Sequence, residues 1–179
     1  MLERDKAVLV VVDVQGKLAT LMYQKEEFYK NVVRMIEGCK LLDIPVIWNE
    51  QLPDKLGQTI PEIKEAMPGL SPLVKNTFSC CGNPEFMKKL EETEKTQVIL
   101  VGMETHVCVY QTALDLIEDD YEVYLAADAV SSRSIENKQV GIEAMRDLGA
   151  GITSVEMAFF EMLRVAEGEE FKKIINIVK

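Results

Sequence analysis

Cys108 occupies a position where it could act as a nucleophile. It lies in the stretch VGMETHVCVY, where an apolar run ends at a glycine and a polar turn leads into a helical pattern. Thr105 is a suitable helix N-cap, which predicts that Cys108 falls in the first helical turn. The free N–H groups and the positive end of the helix dipole there favour a thiolate. The alternative is a structural role, since free cysteines are commonly buried.

A thiol nucleophile needs a base, and a carboxylate is the better candidate. His106 is the only histidine, but residues two apart on a helix do not face each other. Asp13 ends the most apolar run in the chain, so we expect burial to raise its pKa. The alternative for Asp13 is that it only caps a turn. Lys75 could hold Asp13 and the thiol in register, although from its position alone an ordinary surface lysine is the better explanation.

The other cysteines favour structural roles. Cys39 falls in the apolar stripe of a helical pattern, and Cys80 and Cys81 follow a short strand-like run. A redox role for the Cys80–Cys81 pair is the alternative. No CxxC spacing occurs, so the cysteines do not predict a zinc site.

Strand-like and helix-like patterns alternate along the whole chain. The strand-like runs are 6–14, 45–49, 73–78, 96–102, 121–128 and 151–154, and the helical patterns are 25–42, a helix capped by Asn83, 106–118, 134–148 and the C-terminus. The first strand is apolar on both faces, which is typical of a parallel sheet covered on both sides. We therefore predict a single α/β domain over residues 1–179, a three-layer, doubly wound, Rossmann-like sheet of about six mainly parallel strands with helices on both faces.

The ligand site of such a sheet lies beyond the carboxyl ends of its strands. The polar residues expected there are Asp13, Asn49, Lys75, the 102–108 turn and Asp128. Residues 50–72 form a long connection rich in proline, and connections of that length are often functional. By position, Gln15, Trp48, Glu50 and Phe78 are candidate pocket residues, and each is equally explained by packing or by support of a loop.

Composition excludes several classes of function. Twenty basic residues against thirty acidic ones give a net charge of −10, which disfavours nucleic acids and anionic membranes. No apolar run is long enough to span a bilayer, and no secretory signal pattern is present. Neither GxGxxG after the first strand nor GxxxxGK[ST] occurs, so a nucleotide cofactor is not predicted. These features favour a cytoplasmic protein with reduced thiols.

Three motifs in order, VVVDVQ, VKNTFS and VGMETHVCVYQTALDL, resemble the isochorismatase-like cysteine hydrolases, as do IWNEQ and AADAVSSRS. The resemblance covers nearly the whole chain. It implies an α/β fold with a catalytic triad formed by Asp13, Lys75 and Cys108. It also implies a non-proline cis peptide at Met103–Glu104, and an oxyanion hole built from the backbone N–H groups of Glu104 and Cys108.

Departures from the family patterns narrow the expected function. The metal-binding histidines of the nicotinamidases have no counterpart in NEQLPDKLGQ, so we predict no metal and no other cofactor. The isochorismatases that cleave vinyl ethers lack the cysteine, which this chain keeps. What remains resembles the metal-free amidohydrolase branch, whose substrates are mostly unassigned. The resemblance implies a homo-oligomer that hydrolyses a small amide or related C–N bond through a thioester.

Two alternatives stay open at this stage. One is a thiol-based redox protein that uses Cys108, with or without the Cys80–Cys81 pair. The other is a catalytically idle binding or assembly subunit, since SVEMAFFEMLRVA near the C-terminus carries apolar residues on two faces of a helical pattern.

Overall fold

The computed structural model describes residues 1–179 as one sheet covered by helices on both faces. The strands are β1 (Ala7–Val12), β2 (Val46–Gln51), β3 (Leu73–Lys75), β4 (Gln97–Met103), β5 (Glu122–Ser131) and β6 (Gly151–Thr153). The helices are α1 (Gly16–Ala19), α2 (Lys25–Leu41), α3 (Pro53–Leu56), α4 (Pro61–Lys64), α5 (Pro84–Glu91), α6 (Tyr110–Glu118), α7 (Ile135–Asp147), α8 (Val155–Leu163) and α9 (Gly168–Val178). The fold class expected from the sequence is confirmed.

All six strands run parallel, in the order β3-β2-β1-β4-β5-β6. The chain winds outward from β1 in one direction and, after crossing over, from β4 in the other. The carboxyl ends of β1 and β4 therefore form the point where the winding reverses, which is where ligands bind in sheets of this kind.

β1 is buried along its entire length because both of its faces are covered. Leu9 and Val11 pack with residues of α2, α4 and α8, while Val8, Val10 and Val12 pack with residues of α5, α6 and α7. Burying a Val or Leu side chain contributes about 1.5–3 kcal/mol. This central strand therefore forms a rigid base for the residue that follows it.

Gly102 allows β1 and β4 to approach each other closely just before the predicted oxyanion turn. Its φ of +129° is a conformation that residues with a side chain rarely adopt. A Cβ atom at this position would collide with the backbone of Val12. The pairing of β4 with β5 also shifts register between Leu100 and Gly102, which marks an irregularity next to the site.

Several boundaries differ from those expected. The long connection 50–72 is not structureless, since it contains α3 and α4. The expected helix over 106–118 begins with a π-helical turn at Thr105–Val109, and regular α-helix starts at Tyr110. The third strand ends at Lys75 because the chain turns there to place the backbone carbonyls of Thr77 and Phe78 on the lysine. Asn83 and Ser134 do cap their helices, each accepting a backbone N–H.

Candidate active site

Asp13 follows β1 directly and is buried, with 4% of its surface exposed. Its φ of +53° is in the left-handed region, where non-glycine residues are uncommon. Such conformations cluster at functional sites, because the surrounding structure must hold them in place. The backbone N–H of Asp13 donates to the Asn49 carbonyl of the neighbouring strand at 3.3 Å, which helps to fix it.

Lys75 ends β3 and forms a buried ion pair with Asp13. The Nζ atom donates to Asp13 Oδ2 at 2.7 Å and to the carbonyls of Thr77 and Phe78, each at 2.9 Å. The Lys75 side chain is 0% exposed and that of Asp13 is 6% exposed. Lys75 is therefore part of the cluster and not the surface lysine that its position alone allowed.

Cys108 lies in the π-helical turn after β4, with its thiol buried against the same cluster. Its Sγ donates to Gln51 Oε1 at 3.4 Å, and its carbonyl accepts the Thr112 hydroxyl at 2.7 Å. The second oxygen of the Asp13 carboxylate, Oδ1, is buried and has no hydrogen-bond partner. The structure therefore brings Asp13, Lys75 and Cys108 together, as the resemblance implied.

The ionisation of the two reactive groups is set mainly by burial. Burial raises the pKa of the Cys108 thiol to about 12, the negative charge of Asp13 adds to that shift, and Lys75 opposes it. The expectation that the helix start favours a thiolate is wrong for the resting structure, because desolvation outweighs the helix dipole. Burial also raises the pKa of Asp13, while Lys75 lowers it. A carboxylate with a raised pKa is a better proton acceptor than an ordinary aspartate.

The turn that follows β4 departs from two expectations. All peptide bonds are trans, so the expected cis peptide at Met103–Glu104 is wrong for this structure. Thr105 does not cap the helix: its hydroxyl has no partner, and Glu104 occupies the cap position.

The backbone N–H of Glu104 has no acceptor in the protein, although its carbonyl accepts from Val107 and Val109. A free N–H beside a nucleophile is the kind of donor that stabilises an oxyanion. Its carboxylate is held by Arg133, whose Nε lies 2.8 Å from Oε1.

Asp13 and Cys108 both line a small cavity of about 30 Å³. This volume is enough for roughly one water molecule. It is lined by Asp13, Gln15, Leu18, Gln51, Leu56, Met103, Glu104 and Cys108. A larger and more open hollow lies at the opposite edge of the sheet, around Glu3, Arg4 and Lys95. That hollow contains none of the triad residues, so it is not part of this site.

Of the four candidate pocket residues, only Gln15 lines the cavity. Its side-chain amide accepts from the Gln51 N–H at 2.7 Å and donates to the Gly57 carbonyl at 2.7 Å. Trp48 and Glu50, which were expected in the pocket, do not line this cavity. Their side chains point to the other face of β2, where both hydrogen-bond to Thr59.

Phe78 does not line the cavity either, and 53% of its surface is exposed. Only its backbone serves the site, through the carbonyl bound to Lys75.

The sequence reasoning missed Gln51. It is the last residue of β2, it lines the cavity, and it is the side chain to which the Cys108 thiol donates. Side chains alternate between the faces of a strand, so the apolar Trp48 indicates that residues 49 and 51 point the other way. That alternation was the available signal.

His106 does not line the cavity. Its Nδ1 lies 3.0 Å from the Ser132 hydroxyl and 3.4 Å from Glu104 Oε2. No group of three or more histidine, cysteine or acidic side chains is arranged to hold a metal ion. No helix is long and apolar enough to cross a membrane.

The sheet order and the buried Asp–Lys–Cys cluster define an α/β protein with a site at the winding reversal, and comparison gives its family. The isochorismatase domain model matches residues 7–157, and the chain belongs to the isochorismatase family. It is 38% identical over 178 residues to the secreted isochorismatase effector Isc1 of Phytophthora sojae, covering 97% of this chain and 84% of that protein.

Two solved structures are similar along nearly the whole chain. MAR1 ribonuclease from Caenorhabditis elegans superposes with a TM-score of 0.92 at 33% identity, covering 99% of this chain and 91% of that one. YcaC from Pseudomonas aeruginosa, solved with hexane-2,5-diol and covalent acrylamide, superposes with a TM-score of 0.91 at 25% identity, covering 98% and 90%. Both similarities support the α/β fold.

Proposed function

We propose that this protein is a cysteine hydrolase that cleaves a small amide or a related C–N bond through a thioester on Cys108. The observation that carries the proposal is that a buried thiol and a buried carboxylate with a free oxygen line one cavity, and that a buried lysine is paired with the same carboxylate. A nucleophile with an adjacent base that is held by a third group is the arrangement used in covalent catalysis.

In the acylation step, Asp13 takes the thiol proton while Cys108 Sγ attacks the substrate carbonyl carbon. The oxygen of that carbonyl becomes an oxyanion, and the free Glu104 N–H is the donor available to it. The Cys108 N–H is the second donor that the family resemblance implies. The C–N bond then breaks, and Asp13 returns its proton to the leaving amine.

In the deacylation step, Asp13 accepts a proton from water as the water oxygen attacks the thioester carbon. The carbon–sulfur bond breaks, the acid product leaves, and the proton on Asp13 returns to the sulfur. Lys75 keeps its three hydrogen bonds throughout and stabilises the negative charge that alternates between the carboxylate and the thiol. No metal or other cofactor takes part in this scheme.

Two features support this chemistry over its competitors. Acrylamide is an electrophile that reacts with nucleophiles such as thiols, and a relative of the same fold is recorded with covalent acrylamide. The relative named as a ribonuclease raises RNA as a substrate. A net charge of −10 opposes the binding of a polyanion.

Assembly and location are part of the proposal. We infer a homo-oligomer, and exposed apolar side chains such as Val74 and Phe78, next to the site, are suitable for contact between subunits. We propose a cytoplasmic location on the basis of the reduced cysteines. The Phytophthora relative is named as secreted, so fractionation of the native host is the direct test.

The roles of Cys108 and Asp13 are tested by two variants after a screen for amine release across carbamoyl, ureido, biuret-like and simple aromatic amides. Cys108→Ala removes the attacking atom, so it binds substrate but forms no adduct. Asp13→Asn keeps the shape but removes the proton carrier, and turnover falls by about 10²–10⁴. Full hydrolysis by Cys108→Ala with loss in Asp13→Asn would show that Asp13 activates water directly.

Three further assays distinguish the proposed hydrolase from the redox protein and from the idle binding subunit. A redox protein would consume peroxide only with an added reductant, and would do so without Lys75. An idle binding subunit would release no amine from any of these compounds. An aldehyde analogue of a true substrate forms a thiohemiacetal only when Cys108 is present, which intact-protein mass spectrometry detects.

A further inference from the structure

Two residues that follow β5, Ser132 and Arg133, hydrogen-bond to the turn that contains the free Glu104 N–H. Ser132 follows β5 and is fully buried. Its hydroxyl accepts the backbone N–H of Thr105 at 3.1 Å and lies 3.0 Å from His106 Nδ1. Arg133, the next residue, donates to the Glu104 carboxylate at 2.8 Å. Two consecutive residues that follow β5 thus contact three consecutive residues of the turn.

These contacts leave a single backbone donor of the Glu104–Thr105 pair unused. The Glu104 carbonyl accepts from Val107 at 3.0 Å and from Val109 at 3.3 Å, and the Thr105 N–H is taken by Ser132. The peptide that joins Glu104 to Thr105 is therefore held at both its oxygen and its nitrogen. Only the Glu104 N–H, beside the cavity, is free.

Helix α7 also packs closely against this turn. A Cβ atom on Gly141 would lie 2.9 Å from backbone atoms of Thr105 and His106, which is closer than real Cβ contacts. The turn is therefore confined between Ser132 and the backbone of α7. An oxyanion donor must be fixed to within about 0.5 Å to act well, and this confinement provides that rigidity without a cis peptide.

We propose that Ser132 and Arg133 are positioning residues for the reaction: they fix Glu104 so that its free N–H points at the carbonyl oxygen of a substrate bound at Cys108. The inference rests on the proposed function, since it requires an oxyanion to form. Neither residue touches the thiol or lines the cavity, and both act through the Glu104–Thr105 backbone.

The test compares two reactions of the Cys108 thiolate, only one of which forms an oxyanion. With p-nitrophenyl acetate, the sulfur attacks the carbonyl, p-nitrophenolate leaves, and the acetyl group stays on the sulfur. With iodoacetamide, the sulfur displaces iodide and no oxyanion forms. Both reactions need the same thiolate, so the ratio of the two rate constants cancels any change in the fraction of Cys108 that is ionised.

We expect Ser132→Ala to lower the ratio of acetylation to alkylation by about 10- to 100-fold, a part of the 10²–10³ lost when an oxyanion donor is removed altogether. Ser131→Ala is the matched control, because Ser131 is equally buried but its hydroxyl donates to the carbonyls of Tyr23 and Ser132 and makes no hydrogen bond to the Glu104–Thr105 backbone. Arg133→Met is the second variant. The Arg133 side chain is 57% exposed, whereas that of Glu104 is 8% exposed, and we expect the ratio to fall again.

Each outcome has one interpretation. A ratio for Ser132→Ala and Arg133→Met within twofold of that for Ser131→Ala overturns the positioning role and leaves the hydrolase proposal standing. Alkylation of Cys108 in the wild-type protein without any acetylation of it counts against the proposed function, and the inference falls with it. Cys39, buried in the core, stays unmodified in every folded variant and reports any that has unfolded.

Discussion

Replacing Lys75 by Met should destabilise the protein in a way that depends strongly on pH. The substitution removes the buried positive charge that pairs with Asp13, and it removes the hydrogen bonds that Lys75 donates to the carbonyls of Thr77 and Phe78. Breaking one partner out of a buried ion pair costs about 3–5 kcal/mol, because the other charge stays buried without compensation. We expect a loss of that size in the free energy of unfolding at pH 7.

The sign of the pH dependence follows from Asp13. Burial raises its pKa and Lys75 lowers it, so without Lys75 the pKa in the folded state moves further above the value of about 3.9 in an unfolded chain. At a pH below the pKa of the unfolded chain, Asp13 is protonated in both the folded and the unfolded protein, so the penalty for a buried carboxylate vanishes. As the pH rises through the folded-state pKa, the penalty reaches its full size. The variant therefore loses the most stability near neutral pH and the least near pH 4.

Urea unfolding of four proteins measures this coupling: wild type, Lys75→Met, Asp13→Asn and the double variant. If the pair is coupled as described, the double variant is at least about 2 kcal/mol more stable than the sum of the single losses predicts. At pH 4 the loss in Lys75→Met should fall below about 2 kcal/mol, which reflects the two carbonyl hydrogen bonds. Additive losses that do not change with pH would refute the buried ion pair.

Three further predictions concern the thiol, metals and the strand junction. Iodoacetamide should modify Cys108 slowly at pH 7, and the rate should rise about tenfold for each pH unit, because the pKa of the thiol is raised to about 12. Lys75→Met should slow the reaction further. A rate that stops rising near neutral pH would contradict the raised thiol pKa. Exhaustive chelation should leave hydrolysis intact, whereas activity that zinc or manganese restores would exclude the metal-free mechanism. Gly102→Ala should cost at least about 2 kcal/mol in unfolding experiments, because the φ of +129° and the Val12 backbone leave no room for a Cβ.

The sequence was a good guide wherever a pattern reports directly on burial. The continuous apolar run of β1 predicted a strand covered on both faces, and the alternation of elements predicted the parallel sheet. Strand order is a different matter, because it depends on how the crossovers pack. The pairing of β4 with β1 brings Cys108 close to Asp13. The hydrophobic periodicity of the sequence does not predict this proximity, and only the family resemblance implied it.

The site was less predictable where two physical effects oppose each other. A cysteine at a helix start and near a lysine is expected to ionise, yet the extent of its burial decides the pKa, and burial is a property of the folded chain. Trp48 and Glu50 were placed in the pocket because they are close to the end of a strand. Their parity along β2 puts them on the opposite face from Gln51.

The left-handed backbone of Asp13 restricts which side chains can evolve or be engineered at this position. Aspartate and asparagine tolerate that conformation better than most residues, because their short polar side chains interact with the local backbone. Glutamate is strained there although it carries the same charge, and alanine is strained although it is smaller. A saturation library at this codon should therefore yield asparagine and glycine as the best-folded substitutions, both without activity. The proposed base thus has no easy substitute, because the backbone conformation at residue 13 disfavours most other side chains.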